Sequence, residues 1–229
     1  MNKKKCIIFD FGGTLDTDGV HWSVMYSQFL ERHGLNFTSD NFSKAFIKSD
    51  IYLKENSYRI IDYKTLLDTQ INSIINELTQ EDKHNYKNLA KIVLNDVWNE
   101  VINCLVKSKE ILFTLVYDYE IGLVSNFYGN LPEICRDINI SNYFKVILDS
   151  RNVGIEKPHP GIFSLAIKKL NTTPENVWVV GDSYDRDIVP TKILGCNTIW
   201  LKNKSWKEAG DSESADFIIN NLNELRKIL

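Results

Sequence analysis

Five short apolar runs punctuate the chain: Cys6 to Phe9, Ile121 to Val124, Phe144 to Leu148, Val177 to Val180 and Thr198 to Leu201. Unbroken apolar runs of this length read as strands buried on both faces, as parallel sheets require. Phe217-Ile218-Ile219 is a candidate sixth. Between the runs lie helix-like segments: Ser108 to Tyr117, Leu131 to Ile138, Gly161 to Leu170 after Pro160, Asp185 to Leu194, and Leu222 to Leu229. Strands alternating with helices predict an α/β fold, a parallel sheet with helices on its faces.

From about Val20 to Cys104 the alternation stops. Leu66, Leu67, Ile71, Ile74, Ile75 and Leu78 recur at helical spacing, and so do Leu89, Ile92, Val93, Val97, Val101 and Leu105. We read this stretch as an α-helical cap inserted into the sheet core, with residues 18–105 in the cap and residues 1–17 and 106–229 in the core. Its aromatics Trp22, Tyr26, Phe29, Phe42 and Phe46 are expected to pack helices together. The cap histidines His21, His33 and His84 read as surface or packing residues. No internal repeat, low-complexity tract or proline-rich linker is visible.

At 229 residues the chain can bury a substantial core, and 43% hydrophobic with 25% charged residues is ordinary for a globular protein. A formal net charge of -3 argues against a nucleic-acid or anionic-membrane partner and favours small polar substrates. Cys6, Cys104, Cys135 and Cys196 are too far apart for a zinc motif, and they suit free thiols in a reducing cytoplasm. Lys3-Lys4-Lys5 precedes an apolar stretch that Asp10 ends after Phe9, too short for a signal peptide. No run approaches the roughly 20 apolar residues of a membrane span. A monomer or homodimer is expected.

Polar residues cluster where the predicted strands end, which is where open parallel sheets bind ligands. The first strand runs into Asp10-Phe11-Gly12-Gly13-Thr14, and the second into Ser125-Asn126. Lys157-Pro158-His159-Pro160 follows the third, and Gly181-Asp182-Ser183, with Asp185 and Asp187 just behind, follows the fourth. Singly, an Asp or Ser after a strand caps a turn or a helix. Jointly, the sheet would gather several carboxylates, one ammonium and one hydroxyl at a single edge. Mutual repulsion would raise the carboxylate pKa values unless a cation sat among them, and Mg²⁺ held by oxygen ligands resolves that conflict. A carboxylate can attack phosphorus to form an acyl phosphate while Mg²⁺, Lys157 and the Ser125 hydroxyl neutralise the phosphoryl oxygens. Thr14 and the glycine turn would offer backbone N–H groups to the same anion.

At these four segments the chain resembles the haloacid dehalogenase superfamily, with the motifs in their usual order. Phe9-Asp10-Phe11-Gly12-Gly13-Thr14-Leu15 is similar to the first, Ser125-Asn126 to the second, Lys157-Pro158 to the third, and Val180-Gly181-Asp182-Ser183 through Asp187 to the fourth. The resemblance implies a Rossmann-like core with Asp10 as nucleophile. It also implies Mg²⁺ held by Asp10, the Gly12 carbonyl and Asp182, with Asp187 supporting the site. Gly13, Thr14, Ser125, Asn126 and Lys157 would contact a small phosphorylated substrate. Asp185 falls where the pattern varies and reads as a solvated charge near a helix N-terminus.

Gly12 departs from the pattern, because phosphatases of that superfamily carry at this position an Asp that protonates the leaving group and then activates water. Loss of such a group costs about 10² to 10⁴ in rate. Four readings remain open. A phosphatase could rely on a good leaving group or on Asp16 or Asp18, which flank Thr17. A carbon–phosphorus hydrolase would use a cap lysine such as Lys48. A dehalogenase needs no proton for its halide, but Gly181-Asp182-Ser183 counts against it. A phosphate-binding regulator would have lost turnover. His159 and the group Trp200, Lys202, Lys204, Trp206 and Lys207 read as a solvated rim.

Overall fold

In the computed structural model the apolar runs become a six-stranded, wholly parallel sheet ordered β3-β2-β1-β4-β5-β6. The strands are β1 (Cys6–Phe9), β2 (Glu120–Ser125), β3 (Val146–Asp149), β4 (Val177–Gly181), β5 (Asn197–Leu201) and β6 (Phe217–Ile219). Residues 5–57, 60–79, 86, 88–204 and 215–229 are described. His84, Trp206, Lys207, Lys3 and Lys4 lie outside them.

Both faces of the sheet are covered, and the two-residue period of a strand shows it directly. Ile7 and Phe9 enter one apolar cluster with Leu123, Ile134 and Ile199, while Cys6 and Ile8 enter another with Val124, Val179 and Phe163. All four β1 residues are fully buried. Each large apolar side chain so buried contributes about 1.5–3 kcal/mol.

The helices are α1 (Trp22–Arg32), α2 (Ser39–Asn56), α3 (Tyr63–Leu78), α4 (Leu89–Leu115), α5 (Leu131–Asp137), α6 (Ser150–Val153), α7 (Gly161–Lys169) and α8 (Val189–Ile193). Helices α1 to α4 fill the interval in which no strand is predicted. Thr38 and Asp62 start α2 and α3 by accepting from the backbone N–H of Asn41 and Thr65. The segment from Ser108, expected as a helix of its own, is instead the last part of α4, since no glycine or proline interrupts residues 89–115. The α4 stripe Val93, Val97, Val101, Leu105, Leu112 is buried along its whole length. Ser108 on α4 donates to the Leu15 carbonyl at 2.6 Å, tying this helix to the turn after β1.

Two further helices fall short of expectation. The segment from Asp185 is one wide turn over Tyr184–Ile188 followed by α8, with Pro190 at its start, and Leu222–Lys227 is a tight helical turn. All four cysteines are buried, and none of them forms a disulfide. Among the described residues no helix is long and apolar enough to cross a membrane.

Candidate active site

The parallel register sets the polar groups side by side. Phe9 pairs with Val180, so Asp10 leaves β1 beside Gly181 and Asp182 leaving β4, and the Asp10 N–H donates to the Val180 carbonyl at 2.9 Å. Strand order reverses here, with β2 on one side of β1 and β4 on the other, which opens a crevice beyond the carboxyl ends. Two glycines are fixed by the close approach of carboxylates. A Cβ on Gly13, at φ 93°, would sit 2.5 Å from Asp182 Oδ2, and one on Gly181 would collide with the Asp187 carboxylate.

Lys157 is the only buried cation among the described residues, and its Nζ lies 2.7 Å from Asp10 Oδ1 and 2.7 Å from Asp187 Oδ1. Burial disfavours its charged form, but the two carboxylates outweigh this and raise its pKa. Asn126 fixes the lysine by its backbone: Oδ1 accepts from Lys157 N–H at 2.8 Å and Nδ2 donates to the Lys157 carbonyl at 2.9 Å. Asp187 Oδ2 accepts from Ser183 N–H at 3.1 Å. Thr14 Oγ1 donates to Asp182 Oδ1 and accepts from Asp182 N–H, both at 3.1 Å.

Asp10, Asp182 and Asp187 each offer an oxygen within 4.8 Å of the others. One ammonium cannot balance three carboxylates away from water. Burial, then Asp10 and Asp187, push Asp182 well above the usual carboxylate range, and burial lifts Asp187 to about 6 against the opposing pull of Lys157. Oxygen-only donors with surplus negative charge fit a hard divalent cation such as Mg²⁺.

The cluster opens into a cavity of about 460 Å³ between sheet and cap. Asp10, Gly12, Ser125, Asn126, Lys157 and Asp182 line its floor. Gly13 and Thr14, expected to present N–H groups to an anion, do not line it, and the Gly13 N–H is already donated to Asp16 Oδ1 at 2.7 Å. Asp185 is exposed at the rim, as its reading as a solvated charge requires.

Sequence reasoning missed most of the cap wall. Trp22 and Phe46 line the cavity, whereas Tyr26, Phe29 and Phe42 pack between helices. His21 also lines it, and burial followed by the Arg186 charge lowers its pKa to about 4, so it is neutral at neutral pH. Trp200, expected at a solvated rim, is buried and donates Nε1–H to the Asp182 carbonyl at 2.9 Å, because β5 runs beside β4 there. His159 accepts from Gly161 N–H, and His33 bonds Asp96 at 2.7 Å. Asp18, a candidate acid, turns away to accept from Leu222 N–H. Lys48 pairs with Glu77 and does not line the cavity. The signal that could have found the wall is the crowding of aromatics at the start of α1 and the end of the turn after β2, Phe127-Tyr128.

A sequence model of haloacid dehalogenase-like hydrolases matches residues 7–201. The glyceraldehyde 3-phosphate phosphatase of Pyrococcus furiosus is 34% identical over 94 residues, 40% of this chain and 39% of that protein. A pyrimidine 5'-nucleotidase of Escherichia coli is 28% identical over 112 residues, 48% of this chain and 49% of that protein. The chain thus spans less than half the length of these curated relatives. Among solved structures, a dehalogenase with an intermediate complex superposes at a TM-score of 0.65 and 15% identity, covering 100% of this chain and 98% of that one. A putative hydrolase of Bacillus subtilis bound to magnesium does so at 0.58 and 16%, covering 100% and 99%. Those identities speak to the fold, a Rossmann-like parallel sheet with helices on its faces. With the family match spanning β1 to β5 and all four polar segments, this chain belongs to the haloacid dehalogenase-like hydrolases.

Proposed function

We propose that this chain is a cytoplasmic, Mg²⁺-dependent phosphatase of a small phosphorylated metabolite, working through a phosphoryl group carried on Asp10. The observation that carries this reading is Lys157, held at 2.7 Å by both Asp10 and Asp187 on the floor of the cavity and beside the Asp182 carboxylate. Relatives named as a glyceraldehyde 3-phosphate phosphatase and as a pyrimidine 5'-nucleotidase support it. Asp10, the Gly12 carbonyl and Asp182 would hold Mg²⁺, with Asp187 at the edge of the set. The ion, when bound, supplies positive charge to the phosphoryl oxygens and offsets the surplus carboxylates.

An Asp10 oxygen attacks phosphorus in line with the departing oxygen, splitting one hard displacement into two easier ones. Lys157 stays within reach of the equatorial oxygens, and Asn126 and Asp187 hold it there so that its charge needs no reorganisation. The Ser125 hydroxyl, at the end of β2, faces the same space and donates to a phosphoryl oxygen. Residues 18–105 act as a cap that closes over residues 1–17 and 106–229 and excludes water in the first step, with α4 continuous between the two parts. The lysine required by a carbon–phosphorus hydrolase has no counterpart in Lys48, which pairs with Glu77 instead.

The test is phosphate release from a panel of phosphate monoesters, acyl phosphates and phosphonates, with Mg²⁺ and with a chelator. Wild type should release phosphate only with Mg²⁺, and Asp10→Asn should lose about 10⁴-fold or more. Activity surviving Asp10→Asn would sink the nucleophile assignment.

A further inference from the structure

Gly12 puts no side chain over the cavity floor, yet the space beside it is not bare. A Cβ at this position would lie 3.8 Å from Trp22 Nε1 and 4.0 Å from Asp16 Oδ2. Asp16 is fully buried and makes three hydrogen bonds. Its Oδ1 accepts from Gly13 N–H at 2.7 Å, while Oδ2 accepts from the Tyr63 hydroxyl at 2.5 Å and from Trp22 Nε1–H at 3.0 Å. Capping the turn explains Oδ1 alone. Oδ2 is reserved for two side chains from the cap, and both line the cavity that holds Asp10, whereas Asp16 itself does not.

Among the described residues no cation bonds Asp16, so its charge has only dipoles to support it. Burial pushes its pKa up to about 7, which the bonds from Tyr63, Gly13 and Trp22 oppose and the charge of Asp10 reinforces. Near neutral pH the group therefore exists in both protonation states. Tyr63 is in the opposite position. Burial and the neighbouring Asp16 raise its pKa well above 10, so it does not release a proton by itself. It can pass one on when another arrives at the same oxygen.

Resting on the phosphatase reading above, we propose that Tyr63, backed by Asp16, is the proton donor and acceptor that the side chain at position 12 does not supply. In the first step the bond from phosphorus to the leaving oxygen breaks as the bond to Asp10 forms. The Tyr63 hydroxyl proton passes to the leaving oxygen, and the Asp16 carboxyl proton replaces it on Tyr63, leaving a carboxylate. In the second step water attacks phosphorus and the Asp10–phosphorus bond breaks. A water proton passes to Tyr63, whose own proton returns to Asp16. Tyr63 touches the substrate and is catalytic in that sense, and Asp16 is a positioning residue acting through it. Trp22 steadies the carboxylate by donating to the oxygen that the relay uses.

The experiment compares Asp16→Asn and Tyr63→Phe with wild type, in Mg²⁺, on glycerol phosphate and on p-nitrophenyl phosphate. On the alkyl ester both variants should lose about 10²- to 10⁴-fold in kcat, the usual worth of general acid–base help. On the aryl ester, whose leaving group needs no proton, they should give a burst of one nitrophenolate per site and then turn over slowly, because only the second step still lacks its base. Gly12→Asp in the Asp16→Asn background should recover part of the alkyl rate. Equal losses on both esters without a burst would show a structural role and overturn the relay, as would a wild-type alkyl rate in both variants. Tyr63→Phe, which removes a single oxygen, tests the same point should Asp16→Asn not fold. An inert Asp10→Asn beside fully active relay variants would overturn the relay alone. A wild type that releases no phosphate from any ester would overturn the phosphatase reading and the relay together.

Discussion

At the strand ends Asp10, Lys157 and Asp187 are joined by two 2.7 Å ion pairs, and Asn126 grips the lysine backbone at both its N–H and its carbonyl. Across the same cavity the cap presents Phe46, Leu66 and Leu67, held in place by packing rather than by charge. The first region can be altered only by leaving a buried charge or donor unsatisfied. The second can change shape at modest cost, since volume-conserving apolar swaps are tolerated. On the phosphatase reading proposed above, a phosphoryl group would meet the rigid side and the rest of its molecule the adaptable one. That division would let one chemistry be kept while the substrate changes.

The largest effect that would sharpen this contrast is Lys157→Met. Without the ammonium, the Asp10, Asp182 and Asp187 carboxylates have no buried cation among the described residues, and breaking such a cluster destabilises by about 3–5 kcal/mol. Turnover should fall about 10³-fold, and Mg²⁺ should raise the melting temperature of the variant more than that of wild type. A variant that keeps its stability in chelator would break the idea that charge balance shapes this side.

Asp16 sits on the seam between the two regions, bonded to Gly13 of the core and to Tyr63 and Trp22 of the cap. Its pKa is raised by burial from 3.8 to about 7, so the folded chain holds this proton more tightly than the unfolded one. Its contribution to stability is therefore greatest below about pH 4. It declines by about 1.4 kcal/mol for each pH unit up to about 7, where the folded group also ionises. Urea midpoints measured from pH 4 to 8 should fall less steeply for Asp16→Asn than for wild type. Parallel curves would mean that the carboxyl ionises with its ordinary pKa.

The rigid side was legible in the sequence and the adaptable side was not, for a physical reason. Asp10, Ser125 and Asp182 stand at the ends of apolar strands, with Lys157 in the loop that follows β3 and α6, and a parallel sheet must bring the ends of its strands together wherever the helices go. Cap helices show their buried stripe by period, but the same period cannot say which aromatic faces a helix and which a cavity. Trp22 and Tyr26, four residues apart on α1, illustrate it: the first lines the cavity and the second is buried against Gln70 through a 3.0 Å hydrogen bond. Trp200 misled because its neighbours Lys202 and Lys204 are exposed, while the strand itself turns the indole inward onto Asp182. Likewise the break expected before Ser108 had no residue to make it, and α4 runs through.

Phe46→Ala tests the adaptable side. Its ring stacks on Phe42 at 6.2 Å between centroids and also faces the cavity, so truncation enlarges the cap wall without touching the charged floor. Specificity for a substrate that fills this wall should change by roughly 10-fold in kcat/KM, the scale of a lost apolar contact. The rate on p-nitrophenyl phosphate, read in the same assay, should move less. A uniform loss across substrates would mean that the cap wall takes part in the chemistry.

The smallest effect is expected at Lys48. Its side chain is 60% exposed, pairs with Glu77 across two cap helices and does not line the cavity. Exposed ion pairs contribute about 0–1 kcal/mol because water screens them and both side chains lose freedom in forming them. Lys48→Ala should therefore leave phosphate release within about twofold of wild type and lower stability by less than about 1 kcal/mol. A lysine that formed an imine with a carbonyl substrate would behave otherwise: borohydride would trap it, and the alanine variant would lose both trapping and turnover. That result would move the essential chemistry from the strand ends to the cap and reverse the contrast between the two walls.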